Sequence, residues 1–242
     1  MWAIFKREVK SFFFSPIAYV YLCIFVFISG FFFTMSIIPQ SPDVMPAVNY
    51  GDTLSTMTFT LLFVIPILTM RLMSEERKNA TDLLLLTSPV SLTGIVAGKY
   101  LAAVFEFMVG LVISLIYPVI LAFFSTIDVS VIFTGYVGCF LVGATFIAIG
   151  LFASSLSKNQ ITAAILSFCF LLIIWVFEAV KALFNLSENS QKILDSFLVL
   201  KKYDEFSSGL FDFGALIFFI SLIVLFLFFT LRTIERRRWS EG

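Results

Sequence analysis

The chain has 242 residues, 60% of them apolar and only 13% charged, with a formal net charge of zero and no histidine. Soluble domains average about 45–50% apolar and about 25% charged residues, and a single soluble core of this size has no room for 32 phenylalanines. The balance predicts an all-α integral membrane protein, argues against nucleic acid as a partner, and removes the commonest metal ligand and general base. Cys23, Cys139 and Cys169 stand far apart within apolar runs and read as small packing residues rather than a metal site.

From the start, Trp2, Phe5, Val9, Phe12 and Phe13 recur at steps of three or four, with Lys6, Arg7, Glu8 and Lys10 on the other side. This predicts an amphipathic helix in the membrane interface (residues 1–16), its cations toward anionic headgroups. The apolar run that follows is too long for a signal peptide and ends without a small-residue cleavage site. Ser15-Pro16 turns the chain into a first span, Ile17 to Ile38, since about 20 residues cross a hydrocarbon core of about 30 Å. Ser55 to Met73, with Pro66 predicted to kink it, is the second span, and Ile95 to Phe124 the third. Val131 to Ser154, Ile161 to Phe184 and Phe213 to Thr233 complete six. An even number puts both termini on one side. That side would hold Lys6, Arg7, Lys10, Arg71, Arg77, Lys78, Lys99, Lys158, Arg232, Arg236, Arg237 and Arg238, all but four of the 16 cations. By the positive-inside rule it is cytoplasmic.

Between the second and third spans lies the most informative loop, residues 74–94. Ser74-Glu75-Glu76-Arg77-Lys78-Asn79 is hydrophilic; Thr81-Asp82 then opens a run of four leucines, Leu83 to Leu86, that stops at Ser88-Pro89. An N-cap, an early acid and a terminating proline predict a short helix. Four leucines in a row cover every face of one turn, so this helix needs apolar company at the membrane or on a partner. On the outer side, residues 185–212 hold apolar patches too short to span, around Lys201-Lys202-Tyr203-Asp204-Glu205. They fit a re-entrant segment before the sixth span or a loop lying on the surface.

Candidate chemistry is sparse. Gly94 to Tyr100 resembles a phosphate loop only superficially: three residues separate the glycines where four are needed, and Tyr100 replaces the hydroxyl residue that holds magnesium. Glu106 lies about two turns inside the third span, where a charge costs about 2.5–3.5 kcal/mol on insertion scales. It either faces a bundle interior or a translocation path, or reaches the inner interface or a neighbouring cation. Glu178 and Lys181 suit an interfacial ion pair. Gly135, Cys139 and Gly143 recur at four-residue steps on one face of the fourth span, a stripe that admits a close helix neighbour within the subunit or between subunits.

Met70-Arg71, Glu75-Glu76-Arg77-Lys78, Thr81, Leu83 to Thr87, Ser88-Pro89-Val90, Ile95-Val96 and Gly98-Lys99 together resemble the cytoplasmic loop of type-2 ATP-binding-cassette (ABC-2) permeases. Ala80 stands where glycine is usual and Asp82 where glutamate is usual. Phe5-Lys6-Arg7-Glu8 with Ser15-Pro16 resembles the family's elbow helix, and Leu231-Arg232 with Glu235 to Trp239 its ending. Phe197 to Gly209 with Asp212 is most similar to the gliding-motility-type branch. The resemblance implies a single permease domain over residues 1–242 in a bacterial inner membrane. It implies pairing with a second permease, either a copy or a relative, and docking on cytoplasmic ATPase subunits that carry ATP and magnesium, so that this chain binds no cofactor. Glu75, Glu76, Arg77, Lys78, Thr81, Leu83, Leu84, Leu85, Leu86 and Pro89 would form the coupling helix: the leucines its apolar seat, the charged residues its orientation.

Two readings compete with an ATP-driven exporter. A mechanical transmitter to periplasmic partners would carry a large folded outer domain; the outer segments here are short, though a gliding-motility-type complex could use a separate periplasmic partner. A stand-alone channel or carrier would show inverted repeats and several midplane charges. The sequence shows no repeat, and Glu106 is its one candidate intramembrane charge. An enzyme would need a nucleophile, metal cage or acid–base set, and none is apparent.

Overall fold

The computed structural model describes residues 1–37, 50–79, 91–123, 128–183 and 198–240, with the backbone alone at 52, 178–183 and 237–240. The described residues are helical, without strands. In chain order the helices are α1 (Trp2–Phe13), α2 (Pro16–Ile37), α3 (Tyr50–Thr69), α4 (Ser74–Lys78), α5 (Leu92–Ser114), α6 (Ile116–Ala122), α7 (Val129–Leu156), α8 (Gln160–Leu183), α9 (Val199–Ser207) and α10 (Phe213–Ser240). Among the described residues six stretches are long and apolar enough to cross a membrane: α2, α3 continued through α4, α5 with α6, α7, α8 and α10. The chain is a multi-pass membrane protein.

Local sequence sets several helix starts. Ser91 Oγ accepts from the Gly94 N–H at 3.2 Å, Asp128 from Ser130 at 2.9 Å, Asn159 from Ile161 at 3.1 Å, and Asp212 from Gly214 and Ala215 at 2.8 and 2.9 Å. Each side-chain oxygen satisfies a backbone donor that the first helical turn leaves open. At the far end of α9, Gly209 has φ +87°, Leu210 N–H donates to Glu205 O at 3.1 Å and Gly209 N–H to Phe206 O at 3.1 Å. This is a Schellman stop, and it needs a residue at ease in the left-handed region.

Around α7 the other elements assemble: α3, α4, α5, α8, α9 and α10 all pack on it. Its window is 83% buried, against 22% for α2 and 17% each for α8 and α10, so the fourth span is the core. Small residues bring neighbours close. A Cβ at Gly135 would stand 2.5 Å from Leu54 Cδ1, one at Gly138 2.6 Å from Phe206 Cβ, and one at Gly143 would overlap the Phe107 ring. Cys139 is buried between them. The stripe thus meets α3, α5 and α9 of the same chain, and Val199, Leu200, Tyr203 and Phe206 of α9 are buried there.

One difference from the sequence reading is the third span, expected as one helix over Ile95 to Phe124. It breaks at Leu115 into α5 and α6. Pro118 has no N–H for the Ser114 carbonyl four residues back, and the Tyr136 hydroxyl of α7 donates to that carbonyl at 3.0 Å instead. Tyr50 Oη lies 3.2 Å from the same hydroxyl. Pro66, by contrast, stays inside a continuous α3.

Tyr136→Phe removes the donor and leaves a buried carbonyl unpaired. We expect a loss of about 1–3 kcal/mol, read as a lower thermal midpoint in detergent, and a smaller loss for Ser114→Ala, which keeps the carbonyl bonded.

Candidate functional site

The root of the loop between the second and third spans is where charged side chains from three helices converge. Gly98 lets α1 lie close to α5: a Cβ there would be 3.1 Å from Ile4 Cγ2 and 3.2 Å from the Met1 carbonyl oxygen. Ile4 and Phe12 are buried beneath α1, and the Phe5 ring meets Phe105 edge-on at 6.0 Å. That approach sets Glu8 of α1 over Lys99 of α5.

Four groups then close a ring. Lys99 Nζ lies 3.1 Å from Glu8 Oε1 and 3.0 Å from Glu76 Oε1; Arg7 Nη2 lies 2.7 and 2.8 Å from the same two oxygens. Cation and anion alternate, so the ring is neutral and each carboxylate meets two donors. Lys99 is only 1% exposed, and burial of such a group is tolerated when it is paired and hydrogen-bonded. Burial raises the Glu8 carboxyl, but the charge of Lys99 and hydrogen bonds from Arg7 and Lys99 outweigh it and hold the group below the usual carboxylate value.

A second set of contacts ties α4 to the turns around it. Arg71 holds Glu75 in a two-point contact at 2.8 and 3.2 Å and donates to Ser15 Oγ at the α1–α2 turn. Ser154 of α7 accepts from the Met73 and Ser74 N–H groups at 3.1 and 3.2 Å and donates to the Met70 carbonyl at 3.2 Å. Arg77 reaches the Ser155 carbonyl at 3.4 Å. Between Ser11, Asn79 and the ring lies an open polar cleft of about 270 Å³.

The site both gathers and reassigns the expected residues. Glu75, Glu76 and Arg77, expected to orient a partner, make the internal contacts given above, and Lys78 is exposed. Arg7 and Glu8, expected on the headgroup side of α1, turn toward the loop root. Thr81, Leu83, Leu84, Leu85, Leu86 and Pro89 lie outside the described residues, as does the side-chain pair Glu178–Lys181. Glu106 is 3% exposed inside the bundle and makes no ion pair among the described residues. Sequence reasoning missed Lys99 and Ser154 as site residues. The adjacency of Gly98 and Lys99 in the loop motif was a usable signal for the first; a lone serine late in an apolar span gives none for the second.

A family model described as ABC-2 family transporter protein matches residues 42–197. The match spans more than half of the chain and includes α4 and α5, with Glu76 and Lys99 of the ring but not Arg7 and Glu8. The chain belongs to this family. It is a permease-type membrane subunit of an ABC system, and family membership implies association with an ABC ATPase and a lipid bilayer. The match is to the ABC-2 family as a whole, not to its gliding-motility branch. A comparison with curated proteins gives no match.

In this ABC-2 permease, Lys99→Met should lower stability by about 2–4 kcal/mol, less than for a fully dry pair because Glu8 and Glu76 keep 18% and 17% of their side-chain surface exposed. Combined with Glu76→Gln, the loss should fall short of the sum of the single losses, measured by thermal unfolding in detergent. A pH series checks Glu8. Its contribution is complete above the ordinary glutamate range and is lost as pH falls through its lower native value, so Glu8→Gln should flatten the acid limb of the stability curve.

Proposed function

We propose that this permease couples ATP hydrolysis on a separate ATPase subunit to export of a substrate, with segment 74–94 as the coupling element. ATP and magnesium belong to the ATPase, and this chain binds neither. The observation that carries the reading is the fixing of the root of that segment: α4 is held to α1 and α5 by the ring, to the α1–α2 turn through Arg71, and to α7 through Ser154. A force applied to residues 80–90 would reach several spans through short, charge-assisted contacts. The leucines from Leu83 to Leu86 would supply the apolar seat on the ATPase.

In this reading the loop root and both termini face the cytoplasm of a bacterial inner membrane, in accord with the excess of cations on that side. The sparsely buried windows of α2, α8 and α10 leave surface for lipid and for a second permease. The finer likeness to the gliding-motility branch adds a periplasmic partner, for which the exposed Lys201 and Asp204 edge of α9 offers a polar landing.

Co-purification in mild detergent tests the coupling. An ATPase subunit should accompany the wild-type chain and be lost from Leu84→Asp/Leu85→Asp. Equal recovery with both chains would move the ATPase seat elsewhere; recovery with neither would remove the coupling reading.

A further inference from the structure

Glu106 takes no part in the ring. It follows Lys99 by seven residues on the buried side of α5, two turns or about 10 Å deeper, with Ala103, 1% exposed, between them. Its Oε1 is buried and has no hydrogen-bond partner among the described residues. Across the α2–α5 contact stands Tyr21, fully buried, its hydroxyl equally without a partner. That hydroxyl lies against α5 at Gly110, one turn beyond Glu106, where a Cβ would be 3.2 Å away.

The charged groups in electrostatic reach of Glu106 are Arg71 and Glu8. Arg71 attracts a charge there and Glu8 repels one, but Arg71 makes its own contacts with Glu75 and Ser15 and forms no ion pair with Glu106 among the described residues. Tyr21 is the titratable group facing it from α2, and Cys139 of α7 lies near Tyr21. On α10, residues 213–231 hold no ionisable side chain. A buried carboxylate with an oxygen left unpaired costs several kcal/mol, whereas a neutral carboxylic acid carries only the smaller cost of a buried polar group.

We propose that Glu106 is a proton-binding site of the transmembrane bundle, holding a proton while α2 and α5 are packed together and exchanging it with the cytoplasmic cleft at Arg71, Glu75 and Lys99. The exchange is a plain proton transfer. The carboxylic O–H bond breaks, its electron pair stays on Glu106, and the proton passes to water in the cleft; the return step reverses this, and nothing is oxidised or reduced. The inference stands apart from the ATPase reading, because it concerns this chain alone.

Infrared spectroscopy of the full chain in lipid nanodiscs, across a pH series, reads the C=O stretch of protonated carboxylic acids. At neutral pH the wild type should show a band, equivalent to one acid per chain, that Glu106→Gln lacks and Glu106→Asp shifts. The band should vanish at alkaline pH and return on back-titration. Its absence at neutral pH would mean that Glu106 is charged, and would overturn the proposal. So would a band unchanged at every pH at which the chain stays folded, since that marks a fixed structural acid. If Glu106→Gln fails to fold, the wild-type series and the Asp variant still decide. No ATPase is present in this measurement, so a failed co-purification and a failed titration are separate results.

Discussion

A lysine ammonium with almost no access to water has to be neutralised where it stands, and the end of this permease where α1, α4 and α5 meet is built around meeting that demand. Lys99 sits on the third span, but the carboxylates that satisfy it come from α1 and α4. Neither supplying helix is part of the central packing around α7 in the way that α3 or α10 is. Their positions follow from a charge requirement as much as from apolar area, and Arg7 completes the arrangement by supplying each carboxylate with a second cation. A hydrophobic isostere of such a cluster would often be equally stable. What the ions add is a fixed relative placement of three elements.

The interior is organised differently. α7 carries most of the glycine, alanine and serine that neighbours need for close approach, so five other helices and the short α4 can share it. Dispersion contacts, individually small and collectively large, dominate where Phe107, Phe206 and Leu54 fill spaces that side chains on α7 would otherwise occupy. The polar groups inside this packing are mostly satisfied locally: Thr69, Thr134, Thr145 and Thr230 each donate to the carbonyl four residues back. Among the described residues eight buried side chains have a polar atom without a partner, Tyr21 among them, and Glu106 is the one carboxylate in that group.

The six spans were legible because a run of about 20 apolar residues has few soluble alternatives, and span boundaries drawn on charge and proline lie within a few residues of most helix ends. The stripe at Gly135, Cys139 and Gly143 was legible as a packing face, but its partners were not: nothing in the sequence names Leu54 or Phe107. The ring was illegible for a similar reason. Arg7 and Glu76 are 69 residues apart, and Glu8 and Lys99 are 91 apart; local periodicity placed Arg7 and Glu8 with the headgroup-facing cations because it knows only the helix on which they lie. The break at Leu115 was readable in principle from Pro118, but a proline inside a long apolar run also suits a continuous helix, as Pro66 does in α3. What separates the two cases is a hydroxyl on another helix.

That hydroxyl changes what the third span can be mechanically. An unbroken helix behaves as a rod and carries a tilt at one end to the other. Here the rod has a joint at Leu115, with no Pro118 N–H to bind the Ser114 carbonyl across it and a strut from Tyr136 holding that carbonyl from the side. The 23 residues of α5 end on Tyr136 of α7, whereas the seven of α6 are tied to α2, where the Tyr117 hydroxyl donates to the Val26 carbonyl at 2.6 Å. A displacement entering at Lys99 would meet α7 at the Ser114 carbonyl before it reached α6.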